Sequence, residues 1–257
     1  MTMQDLPRVI VALDVPSGER AIALAASLGA SCDFVKVGSE LFTAAGPGVV
    51  RDLAAGTGKG PRRDVFLDLK FHDIPATVRG GARSAAALGA SLLTVHASGG
   101  REMIEAAVEG AGPDCGVLAV TILTSLDAGV LGQVWGRPVL DITEEALRLA
   151  EVARSAGAHG VVCSGLEAAA IRERHGDALK LLVPGIRLAG GEAHDQRRVS
   201  TPASAVAAGA SYLILGRAVT AAPDPVAALA RARSEAESAG AMRGHQAPAG
   251  EPTSRSG

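Results

Sequence analysis

The sequence contains few aromatic residues and few cysteines. Aromatic side chains make up 2% of the 257 residues, namely four Phe, Trp135 and Tyr212. Proteins that bind single-stranded nucleic acid stack bases on aromatic side chains, so this composition argues against that class. Cys32, Cys115 and Cys163 form neither a CxxC pair nor an even-numbered set. We therefore expect reduced thiols rather than a disulfide framework, as in a cytosolic protein.

An excess of one charge and a long apolar run are also missing. The 25 Lys and Arg residues and 27 Asp and Glu residues give a net charge of −2, whereas nucleic-acid binding needs clustered positive charge. No apolar run approaches the roughly 20 residues that span a bilayer, and the initial MTMQDLPR has no apolar signal region. We expect a cytoplasmic protein that binds neither nucleic acid nor membranes.

Eight short apolar runs recur along the chain, and each is typical of a buried strand. They begin at Val9, Asp33, Asp64, Ser91, Gly116, His159, Leu179 and Ser211. Segments with apolar residues at helical spacing lie between them, near 17–29, 40–55, 76–89, 99–111, 143–156, 165–175, 201–209 and 225–239. Strands that are apolar on both faces and alternate with helices indicate a parallel sheet. Eight such units predict an α/β protein with a single closed (β/α)₈ TIM barrel.

An open doubly wound sheet is the alternative architecture. That fold often carries GxGxxG after its first strand, but here the first strand continues into LDVPSGE. We predict one catalytic domain over residues 1–239, with longer surface connections at 56–63 and 126–140. Residues 240–257 lack apolar periodicity, so we expect a disordered tail there.

Charged residues lie at the ends of the first three predicted strands, where a barrel of this kind has its active site. They are Asp14, Lys36, Asp68, Lys70 and Asp73. Asp68 and Lys70 are two residues apart in a strand, so both should point into the barrel mouth. Buried charges need partners, and we therefore expect a mutually paired array. A polar plug that only neutralises the barrel end is the alternative interpretation.

A phosphate site is expected after the last two strands, which is where TIM barrels commonly place one. The seventh strand leads into VPGIR, and the eighth ends in Gly216-Arg217. The Arg217 guanidinium has the geometry to bind two phosphate oxygens at once. Surface turns with solvated arginines are the alternative here.

The run LDLKFHDIPATV resembles the orotidine 5′-phosphate decarboxylase family, whose members make UMP. VALD, FVKVGSELF, TVHASGG, AVTILTS, VPGIR, DQRR and LILGRAVT resemble it in order over almost all of residues 9–229. The DxKxxD pattern alone is shared with barrels that act on sugar phosphates, including 3-keto-gulonate-phosphate decarboxylase and hexulose-phosphate synthase. The flanking FHDIP and the downstream motifs resemble the orotidylate enzyme more closely.

The resemblance implies that Lys70 is the catalytic proton donor in a charged network with Asp68, Lys36 and Asp73. In the family, the residues matching Asp73 and Thr77 serve the neighbouring subunit's site, which implies a homodimer with shared active sites. The positions implied to bind substrate are Asp14, Lys36, Asp68, Thr77, Thr124, Arg187, Gln196, Gly216 and Arg217.

The activity implied by the resemblance is a carboxy-lyase reaction that converts orotidine 5′-phosphate to UMP and CO₂, the last step of de novo pyrimidine biosynthesis. No cofactor motif and no HxH or HExxH metal spacing is visible, so we expect neither a cofactor nor a metal. Two alternatives remain: a Mg²⁺-dependent sugar-phosphate decarboxylase or aldolase of the same superfamily, and a catalytically silent nucleotide-binding protein.

Overall fold

A closed barrel of eight parallel strands forms the centre of the protein, as the sequence predicts. The computed structural model describes residues 6–56, 61–188 and 200–246. Each strand pairs with the next, and β8 returns to pair with β1. The strands are β1 (Arg8–Ala12), β2 (Phe34–Gly38), β3 (Asp64–Phe71), β4 (Leu92–His96), β5 (Gly116–Val120), β6 (Gly160–Val162), β7 (Lys180–Val183) and β8 (Tyr212–Leu215).

Helices connect the strands, and several of them begin at a side chain that caps the helix. Ser17, Asp127, Asp141, Ser164 and Thr201 each accept a hydrogen bond from a backbone N–H of the helix that follows. The helices are α1 (Gly18–Ser27), α2 (Ser39–Ala45), α3 (Gly48–Ala55), α4 (Pro75–Ala87), α5 (Arg101–Ala111), α6 (Ala128–Trp135), α7 (Ile142–Ser155), α8 (Gly165–His175), α9 (Pro202–Ala207), α10 (Arg217–Thr220) and α11 (Pro225–Gln246). In the described ranges, none of these helices combines the length and the apolar character that a bilayer crossing requires.

The structure differs from the predicted helices in three places. The segment predicted over 40–55 forms two helices, because Gly46 (φ 68°) and Pro47 interrupt it. The predicted connection 126–140 contains α6, which begins at the Asp127 cap and ends at the left-handed Gly136.

The third difference concerns the tail predicted to start at residue 240. Helix α11 continues to Gln246, because Ala, Met, Arg and Gln favour a helix without an apolar stripe and the next proline is Pro248. Residues 247–257 lie outside the described part of the chain.

The core has two layers. Alternate strand residues fill the barrel interior, namely Ile10, Ala12, Phe34, Phe66, Leu92, Leu118, Leu182 and Ile214. A larger cluster of Val, Leu, Ile and Ala side chains packs between the strands and the helices. Cys32, Cys115 and Cys163 are free and buried, as expected for small apolar residues. The filled interior leaves the carboxyl ends of the strands as the place for a site.

Candidate active site

A cavity of about 540 Å³ opens at the carboxyl ends of the strands. Its size falls within the range of small-molecule sites, roughly 300–1,000 Å³. Phe66, Leu182 and Ile214 of the barrel interior form its floor. The polar and charged side chains in its wall are Asp14, Lys36, Glu40, Asp68, Lys70, Thr124, Arg187, Arg217 and Thr220.

Four of the five predicted charges form a continuous paired network on one side of this cavity. Lys36 Nζ lies 2.8 Å from Asp14 Oδ1 and 3.9 Å from Asp68 Oδ2. Lys70 Nζ lies 2.8 Å from Asp68 Oδ1. The Lys36 and Asp68 side chains are only 10% and 13% exposed, whereas 35% of Lys70 and 52% of Asp14 remain accessible. The inner pair is thus desolvated and fixed, and the Lys70 ammonium faces the cavity.

The fifth predicted charge, Asp73, is not part of this network within one chain. It follows β3 on the exposed surface, where its Oδ1 accepts a hydrogen bond from Ile74 N–H at 2.6 Å. The strand has ended at Phe71, so the two-residue alternation that aims Asp68 and Lys70 inward no longer applies. The expectation that all five groups pair within the chain is therefore wrong for Asp73. Thr77, in the first turn of α4, is likewise exposed.

The opposite wall carries the residues expected after β5, β7 and β8. Thr124, Arg187, Gly216 and Arg217 all line the same cavity as the charged network. Arg217 begins the short helix α10 and is exposed, and Arg187 Nη1 donates to Ile186 O at 3.1 Å. Gln196 lies outside the described residues.

The backbone of β3 is irregular where it carries Asp68 and Lys70. Between Leu67 and Phe71 the strand advances four residues while β4 advances two, which marks a bulge. Lys70 has φ 51°, the one positive value among the non-glycine residues of the described chain. A long side chain rarely adopts this left-handed conformation, and functional sites are where such strain concentrates.

Two residues that support the network were missed by sequence reasoning. Thr94 Oγ1 accepts from Lys70 N–H at 2.9 Å and donates to Asp68 Oδ1 at 3.0 Å. A Cβ at Gly38 would lie 2.8 Å from Lys36 Nζ and 3.1 Å from Asp14 Oδ1, so this glycine gives the pair room. The available signals were the threonine within the apolar run SLLTVHA and the glycine that ends FVKVG.

Two histidines lie beside the network. The rings of His72 and His96 are 5.3 Å apart between centroids. Burial, followed by the positive charges of His72 and Lys70, lowers the pKa of His96. The lowered pKa favours the neutral form of the His96 imidazole.

Comparisons with known proteins agree along most of the chain. The profile of the "Orotidine 5'-phosphate decarboxylase / HUMPS family" matches residues 7–232. The orotidine 5′-phosphate decarboxylase of Anaeromyxobacter sp. (strain K) is 53% identical over 228 residues, which cover 88% of this chain and 96% of that protein. The protein of that name from Thermobifida fusca (strain YX) is 48% identical over 235 residues, or 91% and 97% of the two chains. The crystal structure of orotidine 5′-phosphate decarboxylase from Lactobacillus acidophilus matches with a TM-score of 0.77 at 39% identity, covering 89% of this chain and 98% of that one.

Proposed function

Because this chain belongs to the orotidine 5′-phosphate decarboxylase / HUMPS family, we propose that it is a carboxy-lyase that converts orotidine 5′-phosphate to UMP and CO₂. The observation that carries this proposal is the placement of Lys70. Its ammonium group is held by Asp68 at 2.8 Å and shares one cavity with Arg217. One cavity thus has a cation available for the reacting carbon and another available for the phosphate.

Lys70 is the proton donor in the proposed reaction. The bond between C6 and the carboxylate breaks, CO₂ leaves, and the electron pair stays on C6. The Lys70 ammonium group stabilises this developing negative charge and transfers a proton to C6, which gives UMP. Lys70 then regains a proton from water. Lys36 and Asp14, paired at 2.8 Å, are assigned to the ribose.

Charge stabilisation at Lys70 supplies only part of the required acceleration. At an effective dielectric of about 20, unit charges about 4 Å apart interact by roughly 4 kcal/mol, whereas enzymes lower barriers by up to ~23 kcal/mol. Binding energy from the distant phosphate contributes further stabilisation when it is realised in the transition state. Arg217, Gly216 and Gln196 are assigned to the phosphate, and Thr124 and Arg187 complete the substrate contacts. Asp68 lies where it would repel the substrate carboxylate.

Product analysis tests the proposed function. The purified chain is incubated with orotidine 5′-phosphate, and nucleotides are separated by chromatography while released CO₂ is trapped. We expect UMP and CO₂ in equal amounts. A substrate that binds but is recovered intact would support a silent nucleotide-binding protein instead.

We propose further that the enzyme is a homodimer in which each chain completes the partner's site. The support is that Asp73 and Thr77 lie on the exposed surface next to the β3 end, and that the apolar side chain of Ile74 between them is 66% exposed and available for a contact with a second chain. The dimer places both polar groups against the partner's substrate. Reduced cysteines and the biosynthetic reaction favour a cytoplasmic location.

Mixing two inactive variants tests the shared site. Asp73→Ala and Lys70→Ala chains are each purified, then combined under conditions where subunits exchange. A mixed dimer has one site that lacks neither residue, so about a quarter of the wild-type activity should return at equal mixing if dimers form at random. Each variant exchanged with itself is the control. A mixture that stays inactive although mass measurement shows mixed dimers would rule out the shared site.

A further inference from the structure

The hydroxyl of Thr94 occupies a gap in the ladder between β3 and β4. Regular pairing is lost between Leu67 and Phe71 on β3, and in this gap the Lys70 N–H donates to Thr94 Oγ1 at 2.9 Å. A buried backbone N–H needs an acceptor. The threonine side chain therefore replaces a ladder bond at the residue with the left-handed φ of 51°.

The direction of both Thr94 hydrogen bonds follows from the donors available. A backbone N–H only donates, so Thr94 Oγ1 is the acceptor from Lys70 and its own proton is directed to Asp68 Oδ1, 3.0 Å away. The same Asp68 oxygen accepts from Lys70 Nζ at 2.8 Å. One hydroxyl thus fixes the Lys70 backbone and also the carboxylate oxygen that holds the Lys70 ammonium.

Burial separates Thr94 from the substrate. Its exposed fraction is 0%, and the cavity wall in front of it is formed by Asp68 and Lys70. Thr94 therefore acts on the reaction only through these two residues. Thr121, at the end of the next strand, is also buried, but its hydroxyl donates to the backbone carbonyl of Val162 at 3.0 Å. It thus contacts neither Asp68 nor Lys70 through this bond.

We propose that Thr94 is a positioning residue for Lys70: its hydroxyl holds the bulge of β3 and the Asp68 carboxylate so that the ammonium group faces C6 of the substrate. This inference rests on the proposed decarboxylation. Without the hydroxyl, Lys70 keeps its charge but loses its fixed direction. The binding of phosphate, which is assigned to residues on the opposite wall of the cavity, is unaffected.

The expected effect is on turnover rather than on substrate binding. A displacement of about 1 Å in a reacting group costs up to roughly 100-fold in rate. We expect Thr94→Val, which keeps the shape and removes the hydroxyl, to lower kcat about 10- to 100-fold while KM changes less than about threefold. Thr94→Ser, which keeps the hydroxyl, should retain kcat within about threefold of the wild type.

The experiment measures kcat and KM for orotidine 5′-phosphate in the full-length wild type, Thr94→Val, Thr94→Ala and Thr94→Ser, with Thr121→Val as the matched control. Thermal unfolding of each variant is recorded alongside. Loss of kcat in the Val and Ala variants, recovery in the Ser variant and normal kcat in Thr121→Val support the inference. If Thr94→Val is unstable, the Ala and Ser pair isolates the hydroxyl.

Several results would overturn the proposed role of Thr94. One is a wild-type kcat in Thr94→Val, and another is a loss of kcat that is the same in the Ser and Val variants. A third is a rise in KM with kcat unchanged in the hydroxyl-free variants. The last is unfolding of both hydroxyl-free variants, Val and Ala, while Thr94→Ser stays folded. A wild-type chain that does not turn over the substrate would overturn the proposed function and this inference with it. An active wild type with an unaffected Thr94→Val would overturn only this inference.

Discussion

The ion-pair networks at the two ends of the barrel differ in the burial of their central groups. At the amino end, Arg8 pairs with Asp64 at 2.7 Å and with Asp33 at 3.3 Å, and each side chain is 41–49% exposed. At the carboxyl end, Lys36 and Asp68 are 10% and 13% exposed. Exposed pairs contribute little to stability and require little desolvation, whereas buried pairs lose much of their attraction to the cost of desolvation.

This difference supports the catalytic role proposed for the network at the carboxyl end. The buried Lys36 and Asp68 side chains gain little net stability from their pairing, and Lys70 adds an unfavourable backbone conformation. The arrangement provides a lysine ammonium group that is fixed before substrate arrives. Charges fixed in this way stabilise a transition state without any rearrangement of the protein or solvent during the reaction. If the network were only a polar plug that neutralises the barrel end, removing one of its charges would lower stability and leave the reaction rate unchanged.

The largest effect is expected at Lys70. Lys70→Ala removes an interaction of roughly 4 kcal/mol with the developing carbanion, which corresponds to about a 1,000-fold loss in kcat. We expect the urea unfolding free energy to change by about 1 kcal/mol at most, because Asp68 keeps Thr94 as a partner. Lys180→Ala, at the start of β7 and far from the cavity wall, is the control. A stability loss with near-normal kcat would favour the plug.

A smaller effect is expected at Arg217 on the opposite wall of the cavity. Each charge-assisted hydrogen bond to phosphate is worth about 1.5–3 kcal/mol, so Arg217→Ala should lower kcat/KM by roughly 10- to 100-fold. The exposed position of the side chain predicts an unchanged fold. Steady-state kinetics together with circular dichroism check both statements. Unaltered kcat/KM would remove Arg217 from the phosphate site.

The smallest effect is expected at the amino end. Arg8→Ala breaks two exposed ion pairs and a contact with the Phe34 ring, whose centroid lies 4.5 Å from the guanidinium carbon. We expect the free energy of unfolding to fall by about 1 kcal/mol and kcat/KM to stay at the wild-type value. A large loss of activity in this variant would erase the distinction between the two ends.

The sequence was sufficient to predict the barrel and the grouping of Asp14, Lys36, Asp68 and Lys70 at the carboxyl ends of its strands. Buried strands of a parallel sheet are apolar on both faces, so charges at their ends stand out. The support from Thr94 was not predictable, because it depends on a bulge in β3 that leaves the Lys70 N–H to bond the Thr94 side chain, between the paired residues Leu93 and Val95. Local sequence patterns do not encode which ladder bond is missing.

Asp73 shows a second limit of sequence reasoning. Spacing along DxKxxD placed it with Asp68 and Lys70, but the strand ends at Phe71 and the following turn directs Asp73 outward. Helix α6 shows a third limit. Its eight residues are rich in Gly and Val and carry only a weak helical pattern, and the helix begins because the Asp127 side chain caps it. Capping and strand ends are set by the local backbone rather than by periodicity.

The most direct test of a metal-independent, lysine-centred decarboxylation is the ultraviolet absorbance of orotidine 5′-phosphate after the wild-type chain has been exhaustively treated with EDTA. The absorbance should change as UMP forms, at the same rate as in the untreated protein, because Lys70 supplies the positive charge. A rate that disappears with EDTA and returns with Mg²⁺ would contradict this account.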